Sequence, residues 1–315
     1  MPEFEPNPVA VTPKVAAVVL TWNDTAMAGR CIKSVLDNNY PGLELILVDN
    51  GSVPPCAAPL AEQFPGIHTV PLNSNTGFTG GCNRGLERGI ALGAKYLFLL
   101  NNDTIVAPDA VAKLAAAMEA HPEAGAASAL LLFPGDERRV QFFEGFIDRD
   151  SARHWHPQDD SPWSPEYART IETEFVPACA LLYRAEALKQ VGLFNEALFT
   201  NWEDYDLHLR LRDAGWKLLT VGAAEVIHAH GQTTGRISPF ITYLFIRNRL
   251  ICLFRFGRPL GILRRTPTIL RSVLWQIREY GWDNWPAHRA LLRGIVDFLL
   301  GVRGKGNAPA KRSDK

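Results

Sequence analysis

The sequence predicts an α/β fold, a mostly parallel mixed sheet flanked by helices, with amphipathic helices appended at the C-terminus. Two observations carry that reading. Short β-branched or aromatic runs alternate with helix-length amphipathic segments up to about Phe133, the pattern of strands joined by helical crossovers. The strongest run, Tyr96 to Leu100, has no polar break and stops abruptly at Asn101-Asn102-Asp103. Such a run reads as a fully buried strand, and ligands of open α/β sheets bind outside the carboxyl ends of the strands. Asp103 therefore stands where this sheet would do chemistry, as a hard carboxylate able to hold a divalent cation against a phosphate. The plainer alternative is an Asp that caps the helix opened by Pro108.

Taken in order, Val15 to Leu20 is the first buried strand. Asp24 or Thr25 caps a helix to about Asn38, with Ile32, Val35 and Leu36 on its inner face. Pro41-Gly42 turns the chain into a second strand, Leu43 to Val48, which ends in Asp49-Asn50-Gly51-Ser52. A short helix around 57–64 and a strand near 67–70 lead to the glycine-rich stretch Asn75 to Asn83, which opens a helix to about Leu92. After the Tyr96 strand come a helix over 108–121 and a strand over 126–133. The stretch from Asp148 to Tyr167 is polar, aperiodic and Pro-containing, and reads as a long surface loop whose Trp155 and Trp163 either stack on a sugar or pack locally. Strands near 174–176 and 180–183 and a helix over 185–191 restore order.

The formal net charge is zero, but its distribution is uneven. From Arg236 onward there are 16 Lys and Arg against 4 Asp and Glu; the first 235 residues hold 17 against 29. The C-terminal part is therefore expected to meet something anionic. No recognised nucleic-acid-binding motif accompanies the charge, which leaves a membrane surface. The five scattered cysteines fit neither a zinc site nor a disulfide framework and point to a reducing compartment. The first 13 residues lack the basic start and apolar core of a signal peptide. No uncharged apolar run reaches the ~20 residues of a membrane span.

Four clusters carry chemistry. Asp49 can accept the ring N–H of a uracil or thymine, or it can make an ordinary Asx turn. The Asn75–Asn83 stretch can turn backbone N–H groups toward a diphosphate at a helix N-terminus, or be a tight turn. It is neither a dinucleotide fingerprint nor a P-loop. Phe199 to Trp216 reads as a helix from Glu203 to Ala214, with Gly215 ending it. Glu203 and Asp204 then lie in its first turn, where the helix dipole favours ionised carboxylates suited to general-base work. Asp206 is the member that fits mere charge complementarity, while Trp202 and Tyr205 flank the acidic pair as an acceptor sugar site would. Finally, a strand over 223–227 delivers His228 and His230 on one face. Imidazole with carboxylate suits Mn²⁺ somewhat better than Mg²⁺.

Together, in this order, the clusters resemble the family-2 inverting glycosyltransferases of the nucleotide-diphospho-sugar transferase (GT-A) fold, nearest to the rhamnosyltransferase-like and galactofuranosyltransferase-like branch. The resemblance covers Val15 to Gly231, with a weaker match at Arg247-Asn248-Arg249. It implies that Thr21, Asn23 and Asp49 hold the base, and that Asn75, Gly77 and Asn83 line the diphosphate. Asn101-Asn102-Asp103 matches the Asp-x-Asp motif, with Asp103 the metal carboxylate and His228 completing the Mn²⁺ or Mg²⁺ site. Asp204 matches the base of the acidic motif. Asn101 departs from the usual Asp, which removes one anionic ligand; Asn is common there in that branch and does not imply lost activity.

The implied enzyme is a metal-dependent hexosyltransferase. It would use dTDP-L-rhamnose, or a UDP-linked galactofuranose, GlcNAc or glucose, and a saccharide or lipid-linked acceptor, in cytoplasmic synthesis of cell-surface polysaccharide. A silent nucleotide-sugar-binding protein is the rival from another class. A sugar-1-phosphate nucleotidyltransferase would need an early Gly-rich loop with Arg and Lys where Thr21-Trp22-Asn23 stands. The expected organisation is a flexible start over 1–13, a catalytic domain over 14–235 with halves 14–133 and 134–235, a basic helical region over 236–305 and a tail over 306–315. In the helical region, Thr266-Pro267 is expected to start one helix, with Ile269, Leu270, Val273, Leu274 and Ile277 on one arc. Pro286 starts another, gathering Leu291, Leu292, Ile295, Val296 and Leu299. These faces suit an anionic membrane, the catalytic domain or a second copy in a homodimer.

Overall fold

The computed structural model describes residues 12–229, 238–281 and 284–309. Its first part follows the expected alternation: β1 (Val15–Thr21), α1 (Thr25–Leu36), β2 (Leu43–Asp49), α2 (Ala57–Gln63), β3 (His68–Pro71), α3 (Gly77–Ala91) and β4 (Tyr96–Asn101). β1 pairs in parallel with β2 and β4, and β2 with β3. Val15 to Val19 and Tyr96 to Leu100 are wholly buried, because helices cover both faces of a parallel sheet. Asp24 caps α1 by accepting the Met27 N–H at 2.9 Å. Ile32 and Val35 face inward, but Leu36, the last residue of α1, is 43% exposed; the inward face ends with the turn before it.

The glycines of α3 also serve packing. Helix geometry begins at Gly77, and Gly81, Gly85 and Gly89 let the helix rest close against the side chains of β1, β2 and β4. A Cβ on Gly85 would come within 2.2 Å of a Val18 methyl, and one on Gly89 within 2.4 Å of a Leu97 methyl. No rotamer change relieves a clash with a buried strand residue.

The chain continues as β5 (Thr104–Val106), α4 (Ala110–Ala120), β6 (Ala124–Leu132), β7 (Arg139–Phe142), β8 (Phe146–Asp148), β9 (Arg153–Trp155), β10 (Ser161–Pro162), β11 (Thr170–Thr173) and β12 (Ala180–Arg184). Then follow α5 (Ala185–Val191), α6 (Glu203–Asp213) and β13 (Lys217–His228). The sheet order is β10-β7-β6-β12-β4-β1-β2-β3, so one sheet runs through both expected halves. β12 lies antiparallel between β4 and β6. β13 runs parallel to β6 and antiparallel to β11 and β5. It is far longer than the five residues expected at its end.

Two expectations change here. β5 intervenes after Asp103, and α4 is capped at Asp109, so Asp103 caps no helix. The stretch 148–167 is no free loop: β8 and β9 pair, β10 edges the sheet, and Asp150, Ser151 and Ala152 are buried. Arg249 explains that burial by donating to the Ser151 and Ala152 carbonyls at 3.0 and 3.1 Å.

Three helices end the described chain: α7 (Pro239–Phe256), α8 (Pro259–Tyr280) and α9 (Trp285–Leu299). α8 begins at Pro259, not Pro267. Asp150 fixes that start by accepting the backbone N–H of Arg258 at 3.0 Å, which leaves Pro267 inside the helix. The apolar arcs also divide. On α8, Leu270 and Leu274 are exposed while Ile269 and Ile277 are half-buried; on α9, Leu291 is buried but Leu292, Val296 and Leu299 are exposed.

Candidate functional site

Register brings the expected base-binding residues together. Thr21 pairs with Asp49 across β1 and β2, and Leu20 with Asn101 across β1 and β4, at one carboxyl edge of the sheet. Asp49 is buried and already accepts three backbone N–H groups: Ser52 at 3.0 Å, Cys56 at 2.6 Å and Ala57 at 3.0 Å. A carboxylate offers about four acceptor positions, so the Asx-type turn takes most of Asp49 and leaves room for one further donor. Asn23 has φ +56 and accepts the Val53 N–H at 2.7 Å. The buried Thr21 hydroxyl donates to the Asp24 carbonyl and receives the Asn102 amide at 3.4 Å.

The start of α3 is occupied rather than open. Asn75 accepts the Gly77 N–H at 2.8 Å, Asn50 accepts the Thr76 N–H at 3.0 Å, and the Phe199 carbonyl accepts the Thr79 N–H at 3.1 Å. Gly77 has φ +81, and a Cβ there would sit 2.3 Å from the Phe199 oxygen. Asn83 is buried with both ends of its amide on the Phe194 backbone, at 2.9 and 3.0 Å. That geometry lets Asn83 hold the segment at Phe194.

Asp103 and His228 do meet. His228 ends β13 opposite Thr104, and its Nε2 lies 3.3 Å from Asp103 Oδ1, with side chains only 8% and 7% exposed. Asn101 Nδ2 is 3.5 Å from the same ring nitrogen. Gln141, which nothing in the sequence singled out, orients the ring. Its Nε2 donates to the His228 carbonyl at 3.4 Å, so its Oε1, 2.8 Å from Nδ1, accepts the Nδ1–H. Nε2 is thereby turned toward Asp103, the arrangement of a histidine that ligates a metal. Burial alone would depress the imidazole; the adjacent Cys179 thiol and Asp103 carboxylate outweigh it and lift His228 to about 10. Asp103 Oδ1 is buried and has no partner among the described residues besides the His228 ring; a divalent cation seated between the two would take the place of the Nε2 proton. Among the described residues no three His, Cys, Asp or Glu side chains cluster for a metal, so a cation here would need oxygens from a bound diphosphate. His230 lies outside the described residues.

Glu203 and Asp204 open α6, as the spacing predicted. Glu203 is buried with Oε2 unpartnered. Asp204, half-buried, accepts the Tyr205 N–H at 2.7 Å. Burial raises both carboxyls above the ordinary range, and the neighbouring Asp204 charge raises Glu203 further. The Ala178 backbone beside Asp204 works against that rise, and the carbonyl of the next residue, Cys179, accepts the Asn101 N–H at 2.9 Å. Two adjacent residues thus lie between the acidic pair and the side of the site that holds Asn101 and His228. Trp202 and Tyr205 are buried with His154 in one aromatic cluster. Neither ring offers a face to an acceptor sugar, because the turn entering α6 folds them beneath α7. Asp206 is buried between Arg210 at 2.8 Å and Arg255 at 2.6 Å, a structural role.

The Glycosyl transferase family 2 model matches residues 16–192. The chain is 26% identical over 246 residues to N-acetylglucosaminyl-diphospho-decaprenol L-rhamnosyltransferase of Mycobacterium tuberculosis, covering 72% of this chain and 79% of that protein. It is 25% identical to galactofuranosyltransferase GlfT1 of Mycolicibacterium smegmatis, covering 70% and 72%. Among solved structures, GalNAc-T7 with UDP, GalNAc and Mn²⁺ superposes with a TM-score of 0.62 at 15% identity, covering 78% of this chain and 48% of that longer one. The mannosyltransferase PcManGT of Pyrobaculum calidifontis with GDP-Man and Mn²⁺ gives 0.55 at 16%, covering 91% and 76%. The sheet is that of the GT-A fold, and the chain belongs to glycosyl transferase family 2.

Proposed function

We propose that this enzyme moves a sugar, with inversion, from a nucleoside-diphosphate donor to a saccharide or lipid-linked saccharide in cell-surface polysaccharide synthesis, and that the donor is dTDP-L-rhamnose. The observation that supports it best is that Ala178 and Cys179, adjacent in the chain, lie against Asp204 on one side and against Asn101 and His228 on the other. That placement sets a general base beside a place for a donor diphosphate. Asp204 takes the proton of the acceptor hydroxyl as that oxygen bonds to the anomeric carbon. The bond from that carbon to the diphosphate oxygen breaks, and its electron pair leaves with the nucleoside diphosphate. Asp103 and His228 would hold the Mn²⁺ or Mg²⁺, which supplies positive charge against the leaving diphosphate. The rhamnosyl choice draws on the named activity of the mycobacterial relative. A thermal-shift panel of nucleotide sugars with and without Mn²⁺ tests it: dTDP-L-rhamnose should stabilise the protein most, whereas preference for UDP-galactofuranose would transfer the reading to the galactofuranosyl relative.

A lipid-linked acceptor would bring the enzyme to the inner face of the membrane. No helix among the described residues is long and apolar enough to cross one. α8 exposes Leu260, Leu263, Leu270, Leu274 and Trp275 beside Arg264 and Arg271. α9 exposes Trp285, Leu292, Val296 and Leu299 beside Arg293. Exposed leucines flanked by arginines suit an anionic lipid surface. The expected outcome is flotation with phosphatidylglycerol vesicles, falling at least tenfold in L263E/L270E/L274E and in neutral vesicles; equal flotation would refute lipid docking.

A further inference from the structure

The turn that enters α6 has an unusual backbone. Phe199, Asn201 and Trp202 have φ of +66, +67 and +71, the left-handed region that such side chains disfavour. Three of four consecutive residues in this state do not persist by themselves, and they stand directly before Glu203 and Asp204.

What holds them is α7. Asn248, fully buried, donates its amide to the carbonyls of Leu198, Thr200 and Asn201 at 2.8, 2.8 and 2.9 Å. Its Oδ1 accepts Arg247 Nε at 3.1 Å and Nη2 at 2.9 Å. The fully buried Arg247 guanidinium in turn donates to the carbonyls of Leu198 at 3.3 Å and Gly304 at 2.7 Å. Tyr243 receives Arg247 Nη1 at 3.3 Å and donates to Asp297 of α9 at 2.6 Å. Gly304 also donates its N–H to the Ala197 carbonyl at 2.7 Å. Every side-chain donor in this set meets a carbonyl of the 197–201 segment or a group that locks such a donor. Buried polar groups placed this way fix one conformation.

We propose that Asn248, backed by Arg247 and the Tyr243–Asp297 pair, is a positioning device for the general base: it holds the left-handed turn that aims Asp204 at the acceptor oxygen. The C-terminal helices are then part of the catalytic apparatus. Asn248 touches no substrate, so its loss acts on turnover through Asp204 and leaves the donor, held by other residues at the carboxyl edge of β1, β2 and β4, in place. This rests on the assignment of Asp204 as base.

The test is Asn248→Asp in the full chain, which keeps the volume and the bonds from Arg247 but sets an oxygen against three carbonyls. With a wild-type donor Kd and an unchanged donor KM, kcat should fall about 10- to 100-fold, the scale of an ångström-sized misplacement. A folded Asn248→Asp with wild-type kcat would overturn the inference, and so would a donor Kd weakened as much as kcat. If that variant does not fold, Tyr243→Phe carries the test: the same split at roughly tenfold or less is expected, and unchanged kcat would overturn it. Wild-type turnover in Asp204→Asn would instead remove the base assignment, so the two failures are separable.

Discussion

Asp204→Asn should lower kcat by about 10²–10⁴-fold, the range of a lost general base, while donor affinity measured by calorimetry stays within about twofold. The two readouts separate because the proposed base acts on the acceptor proton, whereas the proposed donor contacts come from other residues. Its environment adds a second signature. Burial lifts the Asp204 carboxyl above its ordinary value, so the acid limb of kcat/KM should have its midpoint above the ~3.9 of a free Asp. Stability responds to the same burial. A carboxyl whose folded pKa is raised favours folding when protonated, and that advantage fades as pH rises from the unfolded to the folded value. Asp204→Asn should therefore be more stable than the parent at neutral pH, by on the order of 1 kcal/mol, and equal to it in acid. A variant that loses activity and stability together would point to a structural Asp204.

Asp103→Ala should abolish Mn²⁺-dependent donor stabilisation and cut kcat/KM by roughly 10²–10³-fold, the effect of losing several kcal/mol of charge stabilisation. Binding gives a readout independent of turnover: Mn²⁺ titrated with dTDP and followed by paramagnetic resonance should bind the parent and not the variant. Gln141→Leu should weaken that binding about 10- to 100-fold without touching the ion, because the amide fixes which imidazole nitrogen faces Asp103. Unchanged Mn²⁺ binding in Asp103→Ala would remove the metal reading while leaving the base untouched.

The sequence made legible whatever is local. β4 and its Asn-Asn-Asp ending, the first turn of α6 and the histidine closing β13 each announce themselves within about ten residues, through apolar runs, caps and charge at helix ends. What it hid depends on register and on contacts between distant segments. Gln141 looks like the polar residue of a short edge strand, and only the bulged β6–β7 pairing and the β13 alignment bring it to His228. Asn248 lies in a helix whose hydrophobic neighbours run all round, and nothing local ties it to carbonyls near residue 200. The Asn75–Asn83 glycines have the composition of a phosphate loop, and only the tertiary contacts show that Gly81, like Gly85 and Gly89 beyond it, also packs the helix against strand side chains. Trp202 and Tyr205 misled for the opposite reason: aromatics beside acids suit a sugar, but the left-handed turn buries them.

The most direct measurement is a transfer assay on the full chain with dTDP-L-rhamnose, Mn²⁺ and a polyprenyl-diphospho-N-acetylglucosamine acceptor, followed by proton NMR of the anomeric signals. The account predicts release of dTDP matched by a rhamnosylated acceptor of inverted anomeric configuration, both lost in Asp204→Asn. A product of retained configuration, or no turnover of any nucleotide sugar by a protein that binds none, would contradict it.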